Sequence, residues 1–83
     1  MIYAVDTPQQ LKTILRALRQ ARGLTQTQLG EMIGVSQKRV ARIEGAPEKT
    51  AFDQIARIFS VLGCRLSVDE PPKHQVSEDR PEW

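Results

Sequence analysis

Large aliphatic residues recur three or four positions apart along most of this chain, the spacing that places side chains on one face of an α-helix. The first such stretch follows Thr7-Pro8, where a capping threonine precedes a proline at the first helical position. It stops at Gly23, a residue that commonly ends helices. The pattern predicts an amphipathic first helix whose apolar face consists of Leu11, Ile14, Leu15 and Leu18.

Two short helices are predicted next, separated by only a few residues. Thr25 and Gln28 repeat the helix-start pattern of a capping threonine followed three residues later by glutamine. Gly34 ends this second helix, and Ser36 is a good N-cap for a third. The core positions expected for the two helices are Leu29, Met32, Ile33, Val40 and Ile43.

A fourth helix and a short strand complete the predicted elements. Residues 50–53, Thr-Ala-Phe-Asp, have the form of another capping box, and the helix after them would bury Phe52, Ile55, Ala56, Phe59 and Leu62. After Gly63, residues 64–68 alternate apolar and polar side chains, which predicts a half-buried strand. A lone strand needs a mate. Either residues 2–5 of the same chain or the same strand of a second subunit could supply it.

Composition and charge divide the chain into two parts. Residues 1–65 hold ten Lys and Arg against five Asp and Glu, whereas residues 66–83 carry a net charge of −3, so the whole chain has a net charge of +2. From Pro71 onward the sequence is polar, proline-rich and aperiodic, which predicts disorder. We therefore expect an all-α domain over residues 1–70 and a disordered acidic tail over residues 71–83 that ends in Trp83.

Several function classes receive no support from the sequence. No apolar run is long enough for a membrane span, and the N-terminus has no secretory h-region, so a cytoplasmic, nucleoid-associated protein is expected. Cys64 and His74 offer no metal-ligand set, and no cofactor motif is present. The chain also has no catalytic Ser/His/Asp or Cys/His constellation and no phosphate-cradling glycine loop, so we do not expect an enzyme.

The segment that carries a function is residues 25–44, which predicts two short helices joined by a tight turn around Gly34. This is the arrangement of a helix-turn-helix, whose second helix enters the DNA major groove. The two helices are expected to nearly touch at Gly30, where only a small residue fits. The outer face of the third helix carries side chains suited to reading base edges and thymine methyl groups. They are Gln37, Lys38, Arg39, Ala41 and Arg42.

This spacing resembles the lambda-repressor-like (Cro/C1) family over roughly residues 8–63, although the family usually has alanine at Gly30. The resemblance implies a bundle of four to five helices in which Gln26 holds a DNA phosphate and Arg19 forms a structural ion pair with Glu44. It places Ser36, Gln37, Lys38, Ala41 and Arg42 nearest the bases. Arg22 has two possible roles, a contact with a DNA phosphate or a charge that only increases solubility.

A narrower resemblance lies outside the helices. A short extended arm, a strand, an acidic tail and a terminal Glu82-Trp83 are the layout of the HipB antitoxin family. That resemblance implies a homodimer on palindromic operator DNA, strands containing Cys64, Leu66 and Val68 paired across the dimer axis, and a HipA-like kinase toxin that Trp83 binds. It implies an autoregulating repressor. The alternative is a plain dimeric repressor with no toxin partner and a tail that only solubilises.

Overall fold

The computed structural model describes residues 1–70 and Pro72, and this part of the chain is all-helical. Four α-helices follow one another: α1 (Pro8–Ala21), α2 (Gln26–Ile33), α3 (Gln37–Gly45) and α4 (Phe52–Val61). A short 3₁₀ turn, Pro47–Lys49, connects α3 to α4. The prediction of an all-α helix-turn-helix bundle is confirmed.

The helices begin where local side-chain chemistry can satisfy their free amide groups. The Thr7 and Thr25 hydroxyls accept hydrogen bonds from the backbone amides of Gln10 and Gln28, at 3.1 and 3.0 Å. Each glutamine side chain in turn accepts from the backbone amide of its threonine, at 3.0 and 2.9 Å. Both are complete capping boxes, which satisfy amide donors that no helix carbonyl can reach.

One core joins all four helices. The apolar stripes of the helices face one another and leave ten side chains almost without solvent contact. They are Leu15, Leu18, Leu29, Ile33, Val40, Ile43, Ile55, Ile58, Phe59 and Leu62. Burial of a side chain of this kind stabilises a fold by roughly 1.5–3 kcal/mol, so this cluster fixes how α2 and α3 sit against α1 and α4.

The sequence-based prediction is wrong for two core residues and for one helix N-cap. Met32 is 49% exposed and Phe52 is 72% exposed, although both continue the apolar stripe of their helix. Phe52 is the first residue of α4 and lies beyond the end of the core. The N-cap of that helix is Ala51 rather than Thr50, and no side chain caps it.

The expected strand of Cys64, Leu66 and Val68 does not form within the part of the chain that the structure describes. Residues 64–70 have no regular secondary structure, and they pair with neither residues 2–5 nor another described segment. The backbone amide of Cys64 instead donates to the carbonyl of Phe59 at 2.8 Å, which closes the end of α4. An isolated strand leaves its hydrogen bonds unmade, and none of the other described residues supplies a partner for this segment.

Candidate nucleic-acid interface

The turn between α2 and α3 fixes the angle at which α3 meets the surface. Gly34 has φ of +79°, a left-handed conformation that other residues rarely adopt. The backbone amide of Val35 donates to the Gly30 carbonyl at 2.8 Å, and the Ser36 hydroxyl then accepts from the amide of Arg39 at 3.1 Å. A three-residue connection with these constraints leaves α3 little freedom to tilt.

Gly30 lies against this turn. A β-carbon placed on Gly30 would come within 2.5 Å of the Val35 carbonyl oxygen and 3.3 Å of Ser36 backbone atoms. Those atoms belong to the backbone of the turn and cannot rotate away. The glycine therefore allows α2 and the turn to approach more closely than any side chain would permit.

The outward face of α3 presents hydrogen-bonding and basic groups. Gln37, Lys38, Arg39 and Arg42 are exposed and Ala41 is half-buried, while Val40 and Ile43 anchor the opposite face in the core. Among residues 1–70, none of these three basic side chains forms an ion pair with an acid. Their charge is available to an anionic partner.

Arg19 and Glu44 form a buried ion pair beneath this surface. The Arg19 Nε and Nη2 groups donate to the two carboxylate oxygens of Glu44, at 2.5 and 3.2 Å. The side chains are only 10% and 2% exposed. Arg19 also donates through Nη1 to the Leu24 carbonyl at 2.8 Å. A negative charge near a helix C-terminus is repelled by the helix dipole, and the Arg19 guanidinium offsets this repulsion for Glu44. The ion pair also links α1 to the end of α3.

Gln26 and Gln37 continue this network to the surface, a connection that the sequence did not indicate. Gln26 donates from Nε2 to Glu44 Oε1 at 3.1 Å, and its own Oε1 accepts from Gln37 Nε2 at 2.6 Å. Gln26 is half-buried, and Gln37 is exposed. The side chain expected to hold a phosphate therefore joins the buried ion pair to the first residue of α3.

Arg22, the residue left open, is held at the other end of the bundle. Its Nε donates to the carbonyl of Leu62 at 2.8 Å, and its Nη2 lies 3.7 Å from the sulfur of Cys64. The guanidinium thus connects the end of α1 to the end of α4. This contact gives Arg22 a structural role that neither of the two expectations included.

Apolar side chains are exposed at both ends of the segment formed by residues 1–70. Ile2, Tyr3, Val5 and Val68 are exposed, and Val68 has almost its full surface in solvent. Val5, Phe52, Leu66 and Val68 are among the residues that line an open groove of about 430 Å³. Trp83 and the rest of residues 73–83, as well as Pro71, lie outside the described residues.

The described part of the chain contains no helix long and apolar enough to cross a bilayer. Within the same residues, no group of three or more His, Cys, Asp and Glu side chains is placed to hold a metal ion.

Comparison with known proteins agrees with this geometry. A helix-turn-helix family model matches residues 15–68. Antitoxin HipB of Escherichia coli O6:H1 (strain CFT073) is 30% identical over 64 residues, which cover 77% of this chain and 68% of the relative. Antitoxin HipB of Escherichia coli K12 is also 30% identical over 64 residues, and the match covers 73% of that relative. The solved structure of a HipB variant in an O2 20mer complex superposes with a TM-score of 0.76 at 24% identity, covering 87% of this chain and all of the other.

Two short helices joined by a tight turn, with an exposed basic second helix, define a helix-turn-helix DNA-binding protein. The family match covers the whole of that unit, the second half of α1 and all of α4. Within this class, the chain belongs to the Cro/C1-type family and, more narrowly, to the HipB-like antitoxins. It is a DNA-binding, HipB-like regulator.

Proposed function

We propose that this regulator is a sequence-specific repressor whose α3 reads bases in the major groove. The observation that carries the proposal is the exposed row of Gln37, Lys38, Arg39 and Arg42 on a helix held rigidly by the core. Arginine and lysine suit guanine, glutamine suits adenine, and Ala41 suits a thymine methyl group. Ser36, the N-cap of α3, lies next to Gln37 and belongs to the same base-facing set, while Gln26 at the start of α2 holds a phosphate.

The protein acts on palindromic operator DNA as a homodimer. A chain of this size buries a small core, and it leaves an apolar face exposed around residues 2–5, Phe52 and residues 64–68. A second copy placed on that face by a two-fold axis would cover it and give the segment of Cys64, Leu66 and Val68 a strand partner. The two α3 helices would then enter successive major grooves about 34 Å apart.

The protein also serves as the antitoxin of a HipA-like kinase and represses its own operon. The support for this step is membership of the HipB-like antitoxins and the aromatic residue at the end of the sequence, Trp83. Aromatic anchors supply much of the binding energy at interfaces. We place Trp83 in the kinase contact and residues 1–70 in the DNA contact.

The test of base reading is a mobility-shift titration on the DNA upstream of the gene, with the wild type beside Gln37→Ala. The matched control is Gln20→Ala, which removes an exposed amide from α1, away from the reading face. Gln37→Ala should remove the preference at one base position, whereas Gln20→Ala should bind as the wild type does. Unchanged affinity and unchanged base preference in Gln37→Ala would contradict the reader assignment.

The test of the antitoxin step uses a purified HipA-like kinase encoded in the same genome. Trp83→Ala should weaken the complex with the kinase and leave operator binding unchanged. If the wild-type chain binds no such kinase, the result favours the plain dimeric repressor, whose tail serves another purpose.

A further inference from the structure

Arg22 joins the end of α1 to the point where the chain leaves α4. Its Nε donates to the Leu62 carbonyl at 2.8 Å, and its Nη2 lies 3.7 Å from the Cys64 sulfur. Leu62 is the C-cap of α4 and is only 2% exposed, so its carbonyl has no further helix amide to bind and little access to water. The guanidinium supplies a charged donor to a buried acceptor, at the helix end where positive charge is favourable.

The backbone just beyond this contact turns sharply and is held in place. Gly63 has φ of +80°, and its amide donates to the Ser60 carbonyl at 3.0 Å. The Cys64 amide donates to the Phe59 carbonyl at 2.8 Å. Together these two bonds are the closed helix end known as the Schellman motif. They fix the start of the segment that follows relative to α4, while the guanidinium fixes it relative to α1.

α1 carries a second link of this kind, to α3, the helix proposed to read bases. Arg19 lies one turn before Arg22 and binds Glu44 near the end of α3. One turn of α1 therefore connects α3 to the start of residues 64–68, the segment along which the proposed dimer pairs. Within residues 1–70, α4 packs mainly against α2 and approaches α1 closely at few points. The Arg22 contact is the side-chain hydrogen bond that joins the ends of α1 and α4 directly.

We propose that Arg22 is a positioning residue that sets the distance and angle between the two α3 helices of the dimer, and hence the half-site spacing that the dimer accepts. This inference rests on the proposed function, in which a second copy pairs along residues 64–68. With the two-fold axis at that segment, the place of each α3 depends on how the segment leaves its own domain. One base pair inserted between half-sites moves one of them by about 3.4 Å and turns it by about 34°, which a rigid dimer cannot follow.

The Arg22 contact is what a dimer on the wrong spacing has to break. Movement of residues 64–68 relative to α1 stretches the bond to the Leu62 carbonyl and leaves a buried acceptor without its donor. A hydrogen bond to a charged group is worth about tenfold or more in an equilibrium constant. Without the guanidinium the segment shifts more easily by that factor, so operators with the wrong spacing are rejected less strongly.

The test compares operators that differ only in the spacer between half-sites. Binding-site selection from randomised DNA gives the operator that the wild type prefers, and spacers one base pair longer and one shorter are then built into it. The ratio of Kd on an altered spacer to Kd on the preferred spacer, measured by mobility-shift titration, is the spacing selectivity. Arg22→Met keeps the length of the side chain but removes its donors, and it should lower this ratio roughly tenfold.

Two further variants separate positioning from a general loss of stability. Arg57→Met removes an exposed arginine of α4 that forms no ion pair within residues 1–70, and its spacing selectivity should equal that of the wild type. Arg22→Lys keeps one cationic donor and should have an intermediate ratio, which carries the test where Arg22→Met dimerises too weakly for the titration. Base preference within each half-site should be unchanged in all three variants, because the pair of Arg19 and Glu44 stays intact.

Two results would overturn the inference and leave the proposed function in place. One is an unchanged spacing ratio in Arg22→Met, or in Arg22→Lys where only that variant can be measured, which would make Arg22 a contact for stability alone. The other is an equal loss of selectivity in Arg57→Met, which would trace the effect to lost charge rather than to the Leu62 contact. A wild-type chain that selects no two-fold site would instead remove the proposed dimeric repressor, and the inference with it.

Discussion

Removal of the Arg19 guanidinium should destabilise the protein strongly, because it leaves the Glu44 carboxylate buried without its main partner. In Arg19→Met, Glu44 keeps the hydrogen bond from Gln26, and the nearest remaining cation is Arg16 Nε at 3.9 Å. Arg16 is half-exposed and its attraction is weakened by solvent. Loss of one partner of a buried pair costs about 3–5 kcal/mol.

That cost is large beside the stability of a domain of this size. Stability of roughly 0.05–0.15 kcal/mol per residue gives on the order of 4–12 kcal/mol for a chain of 83 residues. A loss of about 3 kcal/mol should lower Tm by roughly 12 °C or more, since each kcal/mol shifts Tm by about 4–8 °C in small domains. The Arg19→Met variant should therefore still fold at low temperature but unfold well below the wild type.

The matched control is Arg19→Met combined with Glu44→Leu, which removes the stranded charge. A buried ion pair replaced by apolar groups is often neutral in stability. The double variant also loses the hydrogen bond from Arg19 to the Leu24 carbonyl, worth about 1 kcal/mol, so it should lie within roughly 2 kcal/mol of the wild type. Glu44→Leu alone strands the Arg19 guanidinium and should also cost about 3–5 kcal/mol, so the two substitutions would be coupled by at least about 4 kcal/mol.

Urea denaturation followed by far-UV circular dichroism measures these differences. All variants must be compared at one protein concentration, because dimer formation makes the apparent stability depend on concentration. A loss below about 1 kcal/mol in Arg19→Met would show that solvent or Arg16 satisfies Glu44. A double variant whose loss equals the sum of the two single losses would show that the pair is not coupled.

Three further predictions follow from the turn, the basic face and the tail. Gly34→Ala should lower the free energy of unfolding by about 1–2 kcal/mol, as measured by urea denaturation. A β-carbon there would meet no atom within 4 Å, so the cost comes from the left-handed backbone at φ of +79°. Lys38→Ala should weaken binding by about 1–3 kcal/mol and relax the base preference at one operator position in a mobility-shift series, because Lys38 is proposed to read a base; equal weakening on all operators would instead mean phosphate contact. Deletion of residues 71–83 should leave operator affinity near the wild-type value, and a large loss would place the tail in the folded domain.

The sequence predicted the parts of the fold that depend on near neighbours. The capping boxes at Thr7 and Thr25, the Ser36 cap and the turn at Gly34 all involve residues a few positions apart, and all are present. The prediction of buried residues failed where burial depends on which parts of other helices lie opposite the side chain. Periodicity assigns Phe52 to the apolar face of α4, yet on that helix the core begins only at Ile55.

The same limit applies to the residues of the site. The pattern of α3 indicates which side chains face outward, and those side chains are exposed except for Ala41, which is half-buried. It does not indicate that Gln26 bonds to Glu44, 18 positions away, because only the packing of α2 on α3 brings the two together. The strand expected over residues 64–68 is a related case, since residues 1–70 contain no segment that pairs with it.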